Sequence, residues 1–241
     1  MQFMNQTSNA IASRLIQLRE KIFAAAHSAQ RRADEIRLIA VSKTQSPEAV
    51  AALSSAGQKD FGESTTQEAL NKIKKFPAQS ITWHFIGHLQ SNKAKFIPGN
   101  FAWLHSLDDL ALASKLSRHA QEKSASVNML IEVNVTRDPK KHGVALDALF
   151  NFVEQLLKAD HPALDLRGLM TVGPHAAPEK EIRRCFAQLR QLRDACRQRF
   201  ALPAFSELSM GMSGDYVEAV QEGATMLRIG TAIFGDRDYS K

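Results

Sequence analysis

Cysteine is nearly absent from this sequence: Cys185 and Cys196 are the only two in 241 residues. They lie eleven positions apart in one helical pattern, about 16 Å along its axis, too far for a mutual disulfide. No CxxC pair and no metal-ligand spacing occurs, so a disulfide scaffold is excluded and no bound metal is expected. This usage fits a reducing cytoplasm. Long hydrophobic runs are missing as well. No stretch approaches the length of a membrane span, and Arg14, Arg19, Glu20 and Lys21 interrupt any secretory core near the N-terminus. Aromatic residues make up only 7%, which suits a core built from Leu, Ile, Val and Ala, and none interleave with the basic groups as in a single-strand nucleic-acid reader. Neither the Rossmann glycine fingerprint nor the Walker phosphate loop is present.

There is an excess of positive charge, 31 Lys and Arg against 25 Asp and Glu, a formal +6. The basic residues are scattered. Their densest groups, Arg31-Arg32, Lys72-Lys74-Lys75 and Arg183-Arg184, read as solvated helix faces, so no nucleic-acid partner is expected. A positive field of this size also favours a small anionic ligand.

The apolar pattern is informative. Ile11, Leu15, Leu18 and Ile22 form one helical stripe, with Ser8 or Asn9 as its cap. Then strands and helices alternate. Strands are predicted at Arg37–Ser42, Lys59–Gly62, Thr82–Gly87, Ala102–Ser106, Asn128–Val135, Leu166–Val172, Glu207–Met212 and Met226–Gly230. Between them lie helical patterns at Ser46-Pro47 onward, Thr65–Lys75, Asp108–Glu122, Leu146–Lys158, Glu179–Phe200 and Asp215–Glu222, the last stopped by Gly223. Such alternation implies parallel pairing with right-handed crossovers. Eight strands in about 250 residues point to an α/β fold, a single (β/α)8 TIM-type barrel with an extra N-terminal helix, spanning 1–241 as one domain. An open doubly wound sheet is the alternative.

Barrel chemistry sits where strands end at the C-terminal mouth. Lys43 ends the first strand, after Leu38-Ile39-Ala40-Val41-Ser42. Burial there disfavours the ammonium and leaves a nucleophilic amine suited to a Schiff base; equally, the side chain could snorkel out of the mouth. The eighth strand runs into Gly230-Thr231, whose amides and hydroxyl could meet an anion, or simply form a tight turn. Ser209 on strand seven is a further phosphate-hydroxyl candidate, whereas Ser213 and Asp215 read as caps of the next helix. His84 and His88 flank strand three without a metal-site pattern and read as structural hydrogen-bonding groups. Asn134 and Met170 end strands five and six and could line a pocket, or, for Met170, fill the core.

Taken in order, several stretches resemble one family. They are Ile39-Ala40-Val41-Ser42-Lys43-Thr44, Phe61-Gly62-Glu63, Trp83-His84-Phe85-Ile86-Gly87-His88-Leu89-Gln90-Ser91-Asn92-Lys93, Glu132-Val133-Asn134, Gly168-Leu169-Met170-Thr171, Leu208-Ser209-Met210-Gly211-Met212-Ser213 and Arg228-Ile229-Gly230-Thr231-Ala232-Ile233-Phe234-Gly235. Together they resemble the YggS/PROSC-type pyridoxal phosphate homeostasis proteins, related to the N-terminal barrel of alanine racemase. The resemblance implies a non-catalytic, monomeric or weakly associating barrel that holds pyridoxal 5′-phosphate and buffers or delivers it, with apoenzymes as partners. It implies a Schiff base on Lys43, phosphate held by Ser209, Gly230 and Thr231, Arg228 facing the pyridine nitrogen and Met170 near the ring. Two places depart from the family pattern: Ser64-Thr65 stand where Asn-Tyr is usual, and the Val135–His142 loop is more basic than its usual counterpart. The alternatives are a racemase using the same cofactor and a barrel binding another phosphorylated ligand. Racemisation needs a second base, and the tyrosine that supplies it in alanine racemase belongs to a C-terminal β domain that the resemblance does not extend to. The tyrosines here are Tyr216 and Tyr239 alone.

Overall fold

The computed structural model describes residues 2–77 and 80–235, with side chains from Ala10 onward. Eight parallel strands close a barrel in chain order: β1 (Arg37–Val41), β2 (Asp60–Glu63), β3 (Thr82–Phe85), β4 (Trp103–Leu107), β5 (Val127–Glu132), β6 (Leu164–Met170), β7 (Glu207–Ser209) and β8 (Met226–Ile229). β8 closes the ring on β1, with Arg228 opposite Ile39 and Ile229 opposite Ala40. The helices are α1 (Gln2–Ser28), α2 (Pro47–Ser55), α3 (Thr66–Ile73), α4 (Leu110–Glu122), α5 (Leu149–Lys158), α6 (Glu179–Arg199), α7 (Tyr216–Gln221) and α8 (Thr231–Phe234). Each expected strand is present, and the barrel replaces the open-sheet alternative. One crossover has no α-helix: a 3-10 helix, Ser91–Phe96, joins β3 to β4.

Local chemistry explains the boundaries. Ser46 caps α2 by accepting from the Ala49 amide at 3.3 Å, with Pro47 in the first turn. Asp109 caps α4 by accepting from the Leu112 amide at 2.7 Å. β7 stops early because Gly211 adopts φ +96 and packs where a Cβ would lie 2.5 Å from that of Ala219. β5 stops at Glu132 because the chain folds back: the Val144 amide donates to the Glu132 carbonyl and the Asn134 amide to that of Val144.

Two layers of apolar packing result. Inside the barrel, Ile39, Trp103, Leu130, Met170 and Met226 fill one cluster. The larger cluster lies between strands and helices. The α1 stripe of Ile11, Leu15, Leu18 and Ile22 is buried in it, each side chain contributing roughly 1.5–3 kcal/mol before entropy is counted.

Two expectations need correction. Ser8 and Asn9 lie inside α1, which begins at Gln2, and not at its N-terminal boundary. Lys72 is no solvated residue: it is 4% exposed and paired with Glu63 and Glu68. Its position on the inward face of α3 decides this, since helical spacing sends Ala69 and Lys72 to the same side. Among the described residues no helix is long and apolar enough to cross a membrane, and Cys185 and Cys196 are both free and buried.

Candidate functional site

At the C-terminal mouth of the barrel, β1 gives way to a turn through Ser42, Lys43 and Thr44. Lys43 is half-buried and falls at the same strand parity as Ile39, which packs inside the barrel. The backbone on either side of it is clamped. The Ser42 hydroxyl donates to Glu63 Oε1 at 2.6 Å, and the Ser42 carbonyl accepts from Lys72 Nζ at 2.6 Å. Lys72 also reaches Glu63 Oε1 at 2.8 Å and Glu68 Oε1 at 2.7 Å. Glu68 Oε1 in turn accepts from the Thr44 amide, holding Thr44 at φ +67. Burial raises the Glu63 carboxyl above its usual range, against the pull of Lys72 and Ser42. A buried ion pair carried by β2 and α3 thus fixes the turn that presents Lys43.

Next to this turn, β8 delivers Gly230 and α8. A Cβ at Gly230 would stand 3.3 Å from the Val41 carbonyl, so glycine lets the end of β8 lie against the end of β1. The Thr231 amide belongs to the first turn of α8, where no intrahelical acceptor is available. The Ala232 amide donates to Ser213 Oγ at 3.2 Å. Ser213 therefore does not cap α7, and neither does Asp215, whose carboxylate turns back to accept from the Met212 amide at 2.6 Å. Both cap assignments are corrected: the turn after Gly211 aims these side chains away from the α7 amides.

Below the mouth runs a buried polar chain. Arg228 NH1 donates to Ser209 Oγ at 2.6 Å and NH2 to the Thr171 carbonyl at 2.9 Å. Ser209 Oγ is 2.8 Å from His105 Nδ1, His105 Nε2 is 2.9 Å from His84 Nδ1, and His84 Nε2 is 3.0 Å from Asp60 Oδ1. Arginine can only donate and a carboxylate can only accept, and with both imidazoles kept neutral by burial the carboxylate end sets the direction of the chain. The Ser209 hydroxyl donates to His105, His105 to His84, and His84 to Asp60, with both histidines neutral and protonated on Nε2. Burial pushes both imidazoles down, His105 well below its usual value. Burial also pushes Arg228 down, to about 10, against the carboxylates of Glu132 and Asp215. Arg228 stays a cation at neutral pH.

The six residues singled out in the sequence thus fall into two groups. Lys43, Gly230 and Thr231 follow the ends of the neighbouring strands β1 and β8. Arg228, Ser209 and Met170 belong to the barrel interior, where Ser209 pairs in register with Met170. The Ser209 proton is committed to His105; the hydroxyl beside the α8 amides is that of Ser213. In the sequence pattern Asp60 and His105 carry no role, Glu63 stands only within a motif, and Lys72 reads as a solvated charge. The signals were present in charged residues at strand and helix positions that face inward, but each alone looked like a solvated charge or a strand-end polar group.

Both departures from the family pattern have a place in the fold. Ser64 packs through its backbone, its carbonyl lying 2.3 Å from where a Gly87 Cβ would be, a contact any side chain leaves intact. Asn134 holds the basic loop, donating to the carbonyls of Asp138 at 2.8 Å and Lys141 at 3.3 Å.

Residues 18–238 match the alanine racemase N-terminal domain family. The chain belongs to that family. Among its relatives, a pyridoxal phosphate homeostasis protein of Escherichia coli K12 is 42% identical over 237 residues, covering 97% of this chain and 99% of the relative. One from Synechocystis is 43% identical over 209 residues, covering 84% and 92%. The family member PipY of Synechococcus elongatus, solved with pyridoxal phosphate bound, superposes with a TM-score of 0.81 at 36% identity, covering 93% of this chain and all of that one. Alanine racemase of Clostridium difficile shares the fold, with a TM-score of 0.66 at 13% identity, and this chain spans 56% of its length.

Proposed function

We propose that this family member binds pyridoxal 5′-phosphate as a Schiff base on Lys43 and serves, without turnover of its own, in intracellular pyridoxal phosphate homeostasis and amino-acid balance, with apoenzymes as recipients. The whole chain, 1–241, would act as one cofactor-binding unit in the cytoplasm. The observation that supports it is the pairing of β1 with β8, which puts the turn of Lys43 and the start of α8 at the ends of neighbouring strands. The donor set fits the cofactor. An amine suits its aldehyde, and Thr231, the Gly230 backbone and Ser213 offer a hydroxyl and amide cluster suited to phosphate. Arg228 stands on the strand that leads to Gly230. Bound there, the cofactor supplies an electrophilic carbonyl and an electron-withdrawing ring. The chain's own residues hold the amine in place through Ser42, Glu63 and Lys72, and Arg228 keeps a fixed positive charge below the mouth. A cation there disfavours protonation of a ring nitrogen brought beside it, which weakens electron withdrawal and suits storage over catalysis.

The alternative, a slow racemase, draws on the shared fold alone. Of the two tyrosines, Tyr216 packs against the outer core, and Tyr239 lies outside the described residues.

The test is to reconstitute the protein with pyridoxal phosphate, reduce with borohydride and locate the adduct by mass spectrometry. A single pyridoxyl group on Lys43, lost in a folded Lys43→Ala variant, is expected. An adduct on Lys93 or Lys141 instead would sink the assignment.

A further inference from the structure

His88, Asp108 and His142 are far apart in sequence, yet the barrel brings them together. They follow β3, β4 and β5, so three neighbouring loops deliver them to one rim of the mouth. One ligand atom from each residue lies within 4.8 Å of the other two. His88 Nδ1 stands 3.8 Å from Asp108 Oδ2. The imidazoles of His88 and His142 are parallel, with centroids 3.8 Å apart.

The position of His142 is built. Asn134 ties the loop through the Asp138 and Lys141 carbonyls, and Lys141 Nζ anchors it to the Val172 and Gly173 carbonyls at 3.3 and 2.8 Å. On the other side, Gly143 turns at φ +111, where a Cβ would lie 2.9 Å from the Asn134 nitrogen. The Gly143 amide donates to Asp108 Oδ2 at 3.3 Å, which also orients the carboxylate. The backbone at His142 is therefore held beside His88 by its neighbours on both sides, and its exposed imidazole keeps its rotational freedom.

We propose that His88, Asp108 and His142 form a binding site for a divalent transition-metal ion of the zinc class. Two imidazoles and one carboxylate form a borderline-soft donor set, and three protein ligands leave one position open to water or a ligand. Around tetrahedral zinc, nitrogen and oxygen ligands at about 2.1 Å stand about 3.4 Å apart. The two exposed imidazoles reach that spacing by side-chain rotation out of their stack. The ion would cross-link the loops after β3, β4 and β5. Its ligands come from the loops after β3, β4 and β5, and Lys43 from the turn after β1, so the proposal does not rest on the cofactor assignment.

Equilibrium dialysis and calorimetry with zinc chloride on the cofactor-free full chain test this, with cobalt(II) chloride as a visible probe. Expected are one zinc per chain, cobalt d–d bands typical of low coordination, and unchanged binding in Lys43→Ala. Replacing an outer-shell partner costs about 10–100-fold in metal affinity, and loss of a ligand costs at least that. His88→Ala and His142→Ala should each weaken zinc binding by this factor with an unaltered circular dichroism spectrum. Asp108→Asn, which keeps an acceptor for the Gly143 amide, should also weaken it. His161→Ala, distant in sequence and fold, should not. Absence of stoichiometric zinc binding, or binding that survives both histidine variants, overturns the proposal.

Discussion

A hydroxyl or amide that meets a phosphate is worth on the order of 1.5–3 kcal/mol, because a charge-assisted bond replaces one to water. Thr231 opens α8 and Ser213 Oγ accepts from the Ala232 amide, so in the proposed binding mode these two residues would carry that contribution. Thr231→Val should weaken pyridoxal phosphate binding by roughly ten- to a hundredfold, and Ser213→Ala by a similar factor. Titration followed by absorbance measures both. Pyridoxal, which lacks the phosphate, should bind poorly to the native protein and equally poorly to both variants. If the phosphorylated and unphosphorylated forms bind alike, these residues hold no phosphate. Ser209→Ala is the informative contrast. Its hydroxyl joins His105 to Arg228, so the change should act on stability as well as on affinity.

Between α3 and the β1–β2 ends, the Glu63–Lys72 pair is an arrangement of elements. α3 is amphipathic with its inward face carrying Ala69 and Lys72, and docking that face places an ammonium among Glu63, Glu68 and the Ser42 carbonyl. Breaking a buried pair from one side is costly because the other charge stays behind in the core. Lys72→Met should lower the unfolding free energy by about 3–5 kcal/mol, read from urea denaturation. Adding Glu63→Gln should restore part of the loss, since the fully buried carboxylate is then neutral and the remaining one, Glu68, is part-exposed to water. The Lys72→Met variant should also form the Lys43 adduct more slowly, because the clamp on the Ser42–Thr44 turn is gone. A double variant as unstable as the single one would show that packing, and not charge, is at issue.

For the whole molecule, the Asp60–His84–His105–Ser209–Arg228 chain crosses the barrel and makes stability depend on pH. Both imidazoles titrate lower in the folded protein than in the unfolded chain. Below about pH 6.5 the unfolded chain takes up protons that the folded interior refuses, so stability is lost as pH falls from there. Each histidine kept neutral at pH 5 costs at most about 2 kcal/mol relative to pH 7. Glu63, Glu132 and Asp215 are raised by burial and act in the opposite sense, their contribution being present at low pH and lost as pH rises through their folded values. Urea unfolding of the native protein and His105→Asn at pH 7 and pH 5 separates the two. The native protein should lose more stability on acidification than the variant, and equal losses would remove His105 from the account. The assembled barrel also sets the expected chemistry toward amino acids. Tyr216 faces the outer core, so no second base is placed opposite Lys43 among the described tyrosines. Loss of one acid–base group costs about 10²–10⁴-fold in rate. Incubation with L-alanine followed by chiral chromatography should therefore give D-alanine far below ordinary enzyme rates. Rapid turnover that disappears in Lys43→Ala would establish the racemase alternative.

The sequence by itself determined the barrel. Strand and helix periods are local properties, and Ile39-Ala40-Val41 or Leu112, Leu116 and Ala120 bury the same faces wherever the chain is read. That Lys43, Gly230 and Thr231 follow the ends of β1 and β8 was legible for the same reason, since a polar or glycine residue after an apolar strand marks the mouth. Tertiary structure alone decided which charged residues turn inward. Lys72 and Lys74 look alike in sequence, and only the docking of α3 buries one against Glu63. It alone decided that Ser209 serves His105 and Arg228 while Ser213 turns to α8, because hydroxyl partners depend on strands 104 and 19 residues away. His88 and His142 are 54 positions apart in the chain and in contact in the fold, a proximity set by barrel closure and by no local pattern.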